Sequence, residues 1–200
     1  YSMAFIKGRY RDYTGSEVLI YLAIKKFETL ENYEFLFESY NHLGILQLDI
    51  NEYDRALSYH EKARTYISKL KNPEVFQVKN YNNVGYTFLK KKEYKQAIKY
   101  FDKALKFKIN RNRYARLTDH KAYSRLKLGD TLNVKKELLK SLQIRDSLND
   151  RVGILLSKLR LAEYYGYIKD TSKALHYAKE AKRLSSKLKN GADYLTSLKL

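Results

Sequence analysis

Two hundred residues with 44% hydrophobic side chains, one proline and eight glycines make an ordered, helix-tolerant chain, not a disordered one. Cysteine is absent, which excludes disulfides, thiolate nucleophiles and cysteine-bound zinc. The net charge of +18 demands a choice between a solvated basic surface and an anionic partner, and only the placement of the charges can make it.

The chain opens at Tyr1 with no basic-then-apolar leader, which reads as a piece of a longer protein. No apolar run approaches the roughly 18 residues that a membrane span requires. In chain order, a weak opening helical hairpin is expected around Gly8 and Ile20. A clearer one follows as Tyr40-x2-Leu43-Gly44-x2-Gln47, then Ala56-x3-His60-x2-Ala63. The pattern returns as Tyr81-x2-Val84-Gly85-x2-Phe88, then Ala97-x3-Phe101-x2-Ala104. A third copy is degenerate, with Ala122 in the glycine place and Val134-x3-Leu138-x2-Ser141 after it. The fourth reads Leu161-Ala162-x2-Tyr165, then Ala174-x3-Ala178-x2-Ala181.

Turns are expected at Asp49-Ile50-Asn51, Leu128-Gly129-Asp130 and Lys169-Asp170-Thr171, with Asn51, Asp130 and Asp170 as helix N-caps. Pro73 either starts a helix or ends a loop. Asn190-Gly191 should close a helix and 192–200 begin another, so the array is expected to continue past Leu200.

The spacings separate repetition from coincidence. Gly8 to Ile20, Gly44 to Ala56, Gly85 to Ala97, Ala122 to Val134 and Ala162 to Ala174 are all twelve residues apart. The steps between successive copies vary, at 36, 41, 37 and 40. A rigid interval within each unit and a tolerant one between units is the mark of packed helix pairs joined by loops. Gly or Ala at the repeated place lets two helices cross closely.

These residues resemble the tetratricopeptide-repeat family, whose pattern runs W-x2-L-G-x2-Y and then A-x3-F across a helix–turn–helix. The resemblance covers nearly the whole chain. It implies an all-α, right-handed superhelix (an α-solenoid) of about five repeats in a single array. Their bounds would be approximately 1–35, 37–73, 75–113, 115–150 and 152–189, with 191–200 opening a further repeat. Units longer than the usual 34 residues imply second helices extended by about a turn. The stretch Leu142-Gln143-Ile144-Arg145-Asp146-Ser147-Leu148-Asn149-Asp150, with Leu161-Ala162-Glu163-Tyr164-Tyr165 and Lys173-Ala174-Leu175, is similar to a narrower group. It resembles the repeat region that precedes the membrane helix and kinase of certain bacterial sensor histidine kinases. Related repeat regions precede DNA-binding regulators. That resemblance implies a two-component signalling context and favours the periplasmic side of a membrane-bound parent, with the cytoplasm as the alternative.

Catalysis finds no support. His42, His60, His120 and His176 are too dispersed for a compact metal motif, although His42 and His120 occupy equivalent places. No phosphate loop, nucleophile elbow or dinucleotide fingerprint occurs. The chain is read as non-catalytic, with no metal and no cofactor. Binding of a peptide or protein is the favoured function, on first-helix residues expected to line the hollow of the solenoid. Asn41, Asn82 and Asp119 share one register, and Ile45, Tyr86 and Tyr123 lie one turn on. Asn83, Lys79, Lys90 and Arg116 flank the same stripe. An asparagine both donates and accepts, so a ladder of them suits an extended peptide backbone.

Twenty-two of the forty Lys and Arg lie in the second-helix segments 53–71, 93–113, 133–145 and 172–189, interleaved with apolar positions. That spacing expects a solvated outer face and disfavours nucleic acid, leaving a free-standing adaptor touching nucleic acid as the alternative reading. Tyr53, Tyr94 and Tyr100 are expected at helix seams. Pairing with a second copy stays open.

Overall fold

In a computed structural model, residues 12–188 are described; the opening turn around Gly8 and the expected helix at 191–200 lie outside them. Nine α-helices fill the described residues, with one 3-10 turn and no strand. They are α1 (Tyr13–Thr29), α2 (Tyr33–Asp49), α3 (Tyr53–Arg64), α4 (Pro73–Lys90), α5 (Tyr94–Leu105), α6 (Arg111–Lys127), α7 (Val134–Ser147), α8 (Arg151–Tyr167) and α9 (Thr171–Leu188). The chain divides into two compact units, residues 1–107 and 108–200. In the first, α2 pairs with α3 and α4 with α5; in the second, α6 pairs with α7 and α8 with α9. Pro73 starts α4, where its missing N–H is no loss.

The small residue of each first helix meets the second helix sixteen residues on, one turn past the small residue at twelve. Gly44 lies so close to His60 that an added Cβ would fall 2.4 Å from the imidazole Cε1. Gly85 stands against Phe101 in the same way, at 2.7 Å. The smaller Leu138 lies at the corresponding place in the third pair, and there Ala122 fits, fully buried in one cluster with Val134, Leu161 and Tyr164. The first unit's core joins Ile20, Ile24, Leu36, Leu43 and Leu46, with Phe37, Ala63 and Ile67 beside it.

A second repeated device sits seven residues beyond each small residue. Asn51, Lys92, Gly129 and Lys169 all have positive φ, between 61° and 82°. The next residue's N–H returns to the carbonyl five positions back: Glu52 to Gln47 at 2.8 Å, Glu93 to Phe88 at 2.9 Å, Asp130 to Arg125 at 3.1 Å and Asp170 to Tyr165 at 2.9 Å. Each first helix therefore ends in a left-handed cap of the Schellman type. Asn51 is thus the residue that ends α2, not the N-cap of α3, which begins after Glu52 without a side-chain cap. Asp130 likewise does not cap α7: its carboxylate accepts from Leu132 N at 3.0 Å and pairs with Arg125. Asp170 is an N-cap, accepting from Lys173 N at 3.1 Å.

The extra length of the units is not where it was expected. First helices α2, α4, α6 and α8 run 17 or 18 residues, whereas second helices α3 and α5 have 12 and α7 has 14; only α9 reaches 18. After α3 the chain tightens into a 3-10 turn at Ile67–Lys69 instead of adding an α-helical turn.

Candidate functional site

In the first unit, the predicted stripe lies along α2 and α4. Ile45 is exposed, and Lys79, Asn82, Asn83, Tyr86 and Lys90 are half-buried on successive turns of α4. Asn41 does not join them. It is 1% exposed because its Oδ1 turns inward, 3.1 Å from His60 Nδ1. Asn83 Nδ2 also donates to Asn41 Oδ1 at 3.2 Å, and Asn82 Nδ2 donates to Asn83 Oδ1 at 3.1 Å. Because an amide oxygen only accepts, the imidazole Nδ1–H is the donor in the His60 contact. Asn80 Nδ2 adds a bond to the His60 carbonyl at 2.7 Å. The result is an asparagine relay from the half-buried Asn82 to the fully buried His60. Burial pushes the His60 imidazole down to about 4, so it is neutral at pH 7. Lys79 pairs with Glu38 of α2, and Lys90 lies over the Tyr86 ring at 5.8 Å from its centroid.

In the second unit, Arg116 is exposed and Tyr123 half-buried on α6, but Asp119 is fully buried and is corrected in the same sense as Asn41. Asp119 binds Arg160 of α8 directly, accepts from Ser157 Oγ at 3.1 Å and lies 3.4 Å from Arg145 of α7. Arg145 also donates to the Gly153 carbonyl at 2.6 Å and to Ser157 Oγ at 3.0 Å. One carboxylate thus joins three helices through two guanidiniums. Burial lowers Arg145 to about 10, which still leaves it charged at neutral pH. Arg160 stacks over the Tyr123 ring at 4.9 Å from the centroid, Lys127 lies over the same ring at 5.2 Å, and Lys127 pairs with Glu163.

Arg145, which the segment 133–145 places on the basic outer face, is instead 3% exposed. Its place could have been read from the register, since Val134, Leu138, Ser141 and Arg145 follow the i, i+4, i+7, i+11 course of α7's buried side. Arg160 follows Gly153 and Ser157 on α8 in the same way. His42 and His120 are also buried, at 8% and 6%, and so do not line an open surface. Other outer-face cations, among them Lys62, Arg64, Lys95, Lys99, Lys135 and Lys136, are exposed as expected. Tyr100 packs at its seam against Phe88 at 5.5 Å and Tyr81 at 6.1 Å. Among the described residues no helix is long and apolar enough to cross a membrane, and no group of three His, Asp or Glu could hold a metal.

Residues 78–108, most of α4 and all of α5, match the family model of the tetratricopeptide repeat. No curated protein matches the chain. Among solved structures, BtubC (BKLC) from P. vanneervenii is similar at 19% identity with a TM-score of 0.75, over 94% of this chain and 79% of that one. The apo form of RapI is similar at 14% identity and 0.73, over 96% of this chain and 54% of that one. The apo quorum sensor NprR from B. thuringiensis gives 14% and 0.59, over 84% and 59%. Such identities speak to fold alone. The described residues share the all-α, helix-pair fold of these structures. Residues 78–108 carry the repeat itself, and the pairs α2/α3, α6/α7 and α8/α9 repeat its spacing.

Proposed function

We propose that the chain binds an extended peptide segment along the stripe Ile45, Lys79, Asn82, Asn83, Tyr86 and Lys90 of the first unit. The observation that carries this reading is the asparagine relay, which holds the amides of Asn82 and Asn83 in place from the buried side before any ligand arrives. A pre-positioned amide loses little freedom on binding, and Tyr86 beside it offers rigid amphipathic area. Each peptide-backbone bond contributes about 1 kcal/mol net, so several must act together with the tyrosine. Likeness in fold to the quorum sensor NprR supports the reading.

A randomised twelve-residue peptide library displayed on phage tests it. Peptides selected by the native chain should lose at least about tenfold in affinity to an Asn82→Ala/Tyr86→Ala variant whose helical circular dichroism is unchanged. Selected peptides that bind both proteins equally would place binding elsewhere.

The finer context we infer is sensory: the array as the ligand-sensing region of a bacterial sensor histidine kinase, on the periplasmic side of the membrane, or of a transcriptional regulator, in the cytoplasm. It rests on the phrases around Leu142–Asp150 and Leu161–Tyr165. Ligand-induced rearrangement of helix pairs would then reach an output domain as a shift in populations. The reading frame downstream of Leu200 is the test. A membrane helix and kinase support the sensor, a DNA-binding domain supports the regulator, and a frame with neither leaves a free-standing adaptor.

A further inference from the structure

Twenty tyrosines stand in a chain with no cysteine, no tryptophan and a single methionine, Met3. Sulfur side chains are ordinarily the first to yield to an oxidant. Among the described residues, 12–188, that role falls to phenols. Where two phenols touch, oxidation can end in a lasting bond.

Tyr21 of α1 and Tyr59 of α3 meet through their hydroxyls, with 2.5 Å between the oxygens. One turn earlier on both helices Glu17 pairs with Arg55 at 3.7 Å, so two rungs of the same offset hold α1 against α3. Tyr21 is 41% exposed and Tyr59 half-buried, which lets an oxidant reach them and a proton leave to water. Burial and the neighbouring Tyr59 hold the Tyr21 phenol above its ordinary range, so it is neutral at pH 7 and gives up electron and proton together. The ring pairs Tyr40–Tyr66, Tyr81–Tyr100 and Tyr165–Tyr177 are placed differently. Lys62 lies over Tyr40 at 5.8 Å, Lys103 over Tyr100 at 4.8 Å and Lys173 over Tyr165 at 5.4 Å from the ring centroids. A positive charge over a ring makes an electron harder to remove from it. Arg55 beside Tyr59 is instead offset by Glu17. The repeat register also confines the phenol pair to one seam, because Leu57 and Ile98 take the place of Tyr21 in α3 and α5.

We propose that Tyr21 and Tyr59 are a site of oxidative dityrosine formation, a covalent staple between α1 and α3. The co-reactant is a one-electron oxidant of the haem-peroxidase class supplied with hydrogen peroxide. Each phenol loses one electron and one proton, leaving two phenoxyl radicals. These join through the ring carbons ortho to the hydroxyls, and the two ortho hydrogens pass to the oxygens to restore both rings. The protein loses two hydrogens in all, and one hydrogen peroxide becomes two waters. A link between residues 38 apart restricts the unfolded chain and so stabilises the first unit. The proposal is independent of peptide binding along α4.

The test treats the dilute full chain with a haem peroxidase and limiting hydrogen peroxide, then isolates the monomer. Blue dityrosine fluorescence should appear. Trypsin should release one joined peptide, 12–25 linked to 56–62, lighter by two hydrogens than its parts. Tandem fragmentation should place the bond on Tyr21 and not on Tyr13, which shares the first peptide. Tyr21→Phe and Tyr59→Phe, each with unchanged helical circular dichroism, should lose the joined peptide, whereas Tyr81→Phe should keep it. The joined monomer should unfold at a higher urea midpoint than the untreated chain, and peroxidase-treated Tyr21→Phe should show no such rise. Absence of dityrosine, its confinement to cross-linked dimers, or a main monomer product joined at other tyrosines overturns the proposal. A joined peptide that survives Tyr21→Phe does the same, and an unchanged midpoint in the joined monomer overturns its action as a staple.

Discussion

At the scale of residues, the buried polar groups hold the strongest interactions. Asp119 pairs with Arg160, lies 3.4 Å from Arg145 and accepts from Ser157, so its removal takes from two buried guanidiniums the carboxylate they share. Asp119→Ala should cost about 3–5 kcal/mol, the range for breaking a buried ion pair from one side, read as a lowered urea midpoint. His60 makes a pH-dependent contribution. Its folded pKa, about 4, lies below the unfolded 6.5, so its share of stability is full above 6.5 and is lost as pH falls toward 4. The loss should approach about 1.4 kcal/mol per pH unit across that window. His60→Phe, which copies Phe101 at the equivalent place, should flatten the dependence; burial also lowers His42, so some slope should persist. An unchanged slope in that variant would assign the effect to other groups. Asn41 and Asp119 also mark the limit of register as a guide. The positions are right for a first-helix stripe, but Asn41 turns to meet His60, and Asp119 turns to meet two arginines from other helices. No spacing within α2 or α6 contains those partners.

At the scale of elements, close crossing governs each hairpin. Gly85→Ala would set a Cβ 2.7 Å from the Phe101 ring, which must tilt or push the helices apart. We expect a loss of about 1–3 kcal/mol in urea unfolding, typical of an overpacked core. Ala122→Gly at the equivalent place should also destabilise, by about 1 kcal/mol, because no such ring crowds it and the helix interior merely gains a glycine. The two outcomes together separate a steric rule from a compositional one. The left-handed turn residues follow a different logic. Asn51, Lys92, Gly129 and Lys169 share a conformation but not a residue type, so composition alone left the device unseen at Lys92 and Lys169. The fixed seven-residue offset from the small residue was the available clue.

At the scale of the whole molecule, the two units differ most in charge. With twenty basic and eight acidic side chains in residues 108–188, that unit repels itself, whereas residues 12–107 are close to neutral. Raising salt from about 20 to about 200 mM shortens the Debye length to below 10 Å and should raise hydrogen-exchange protection in α6–α9 more than in α1–α5. Equal gains in both would mean that the surplus cations are too solvated to strain the fold.

The sequence by itself determined the helical class, the hairpin phase and the near-exact places of the helix crossings, because those depend on local periodicity and on side-chain size at one repeated position. It also implied a polar and aromatic stripe on the first helices. Tertiary structure alone decided which members of that stripe turn inward, and it supplied the Asp119 carboxylate beside Arg145, whose register already lay on α7's buried side. A buried charged group's position is set by the partners that compensate it, and Asp119 meets its two arginines 26 and 41 residues further along the chain.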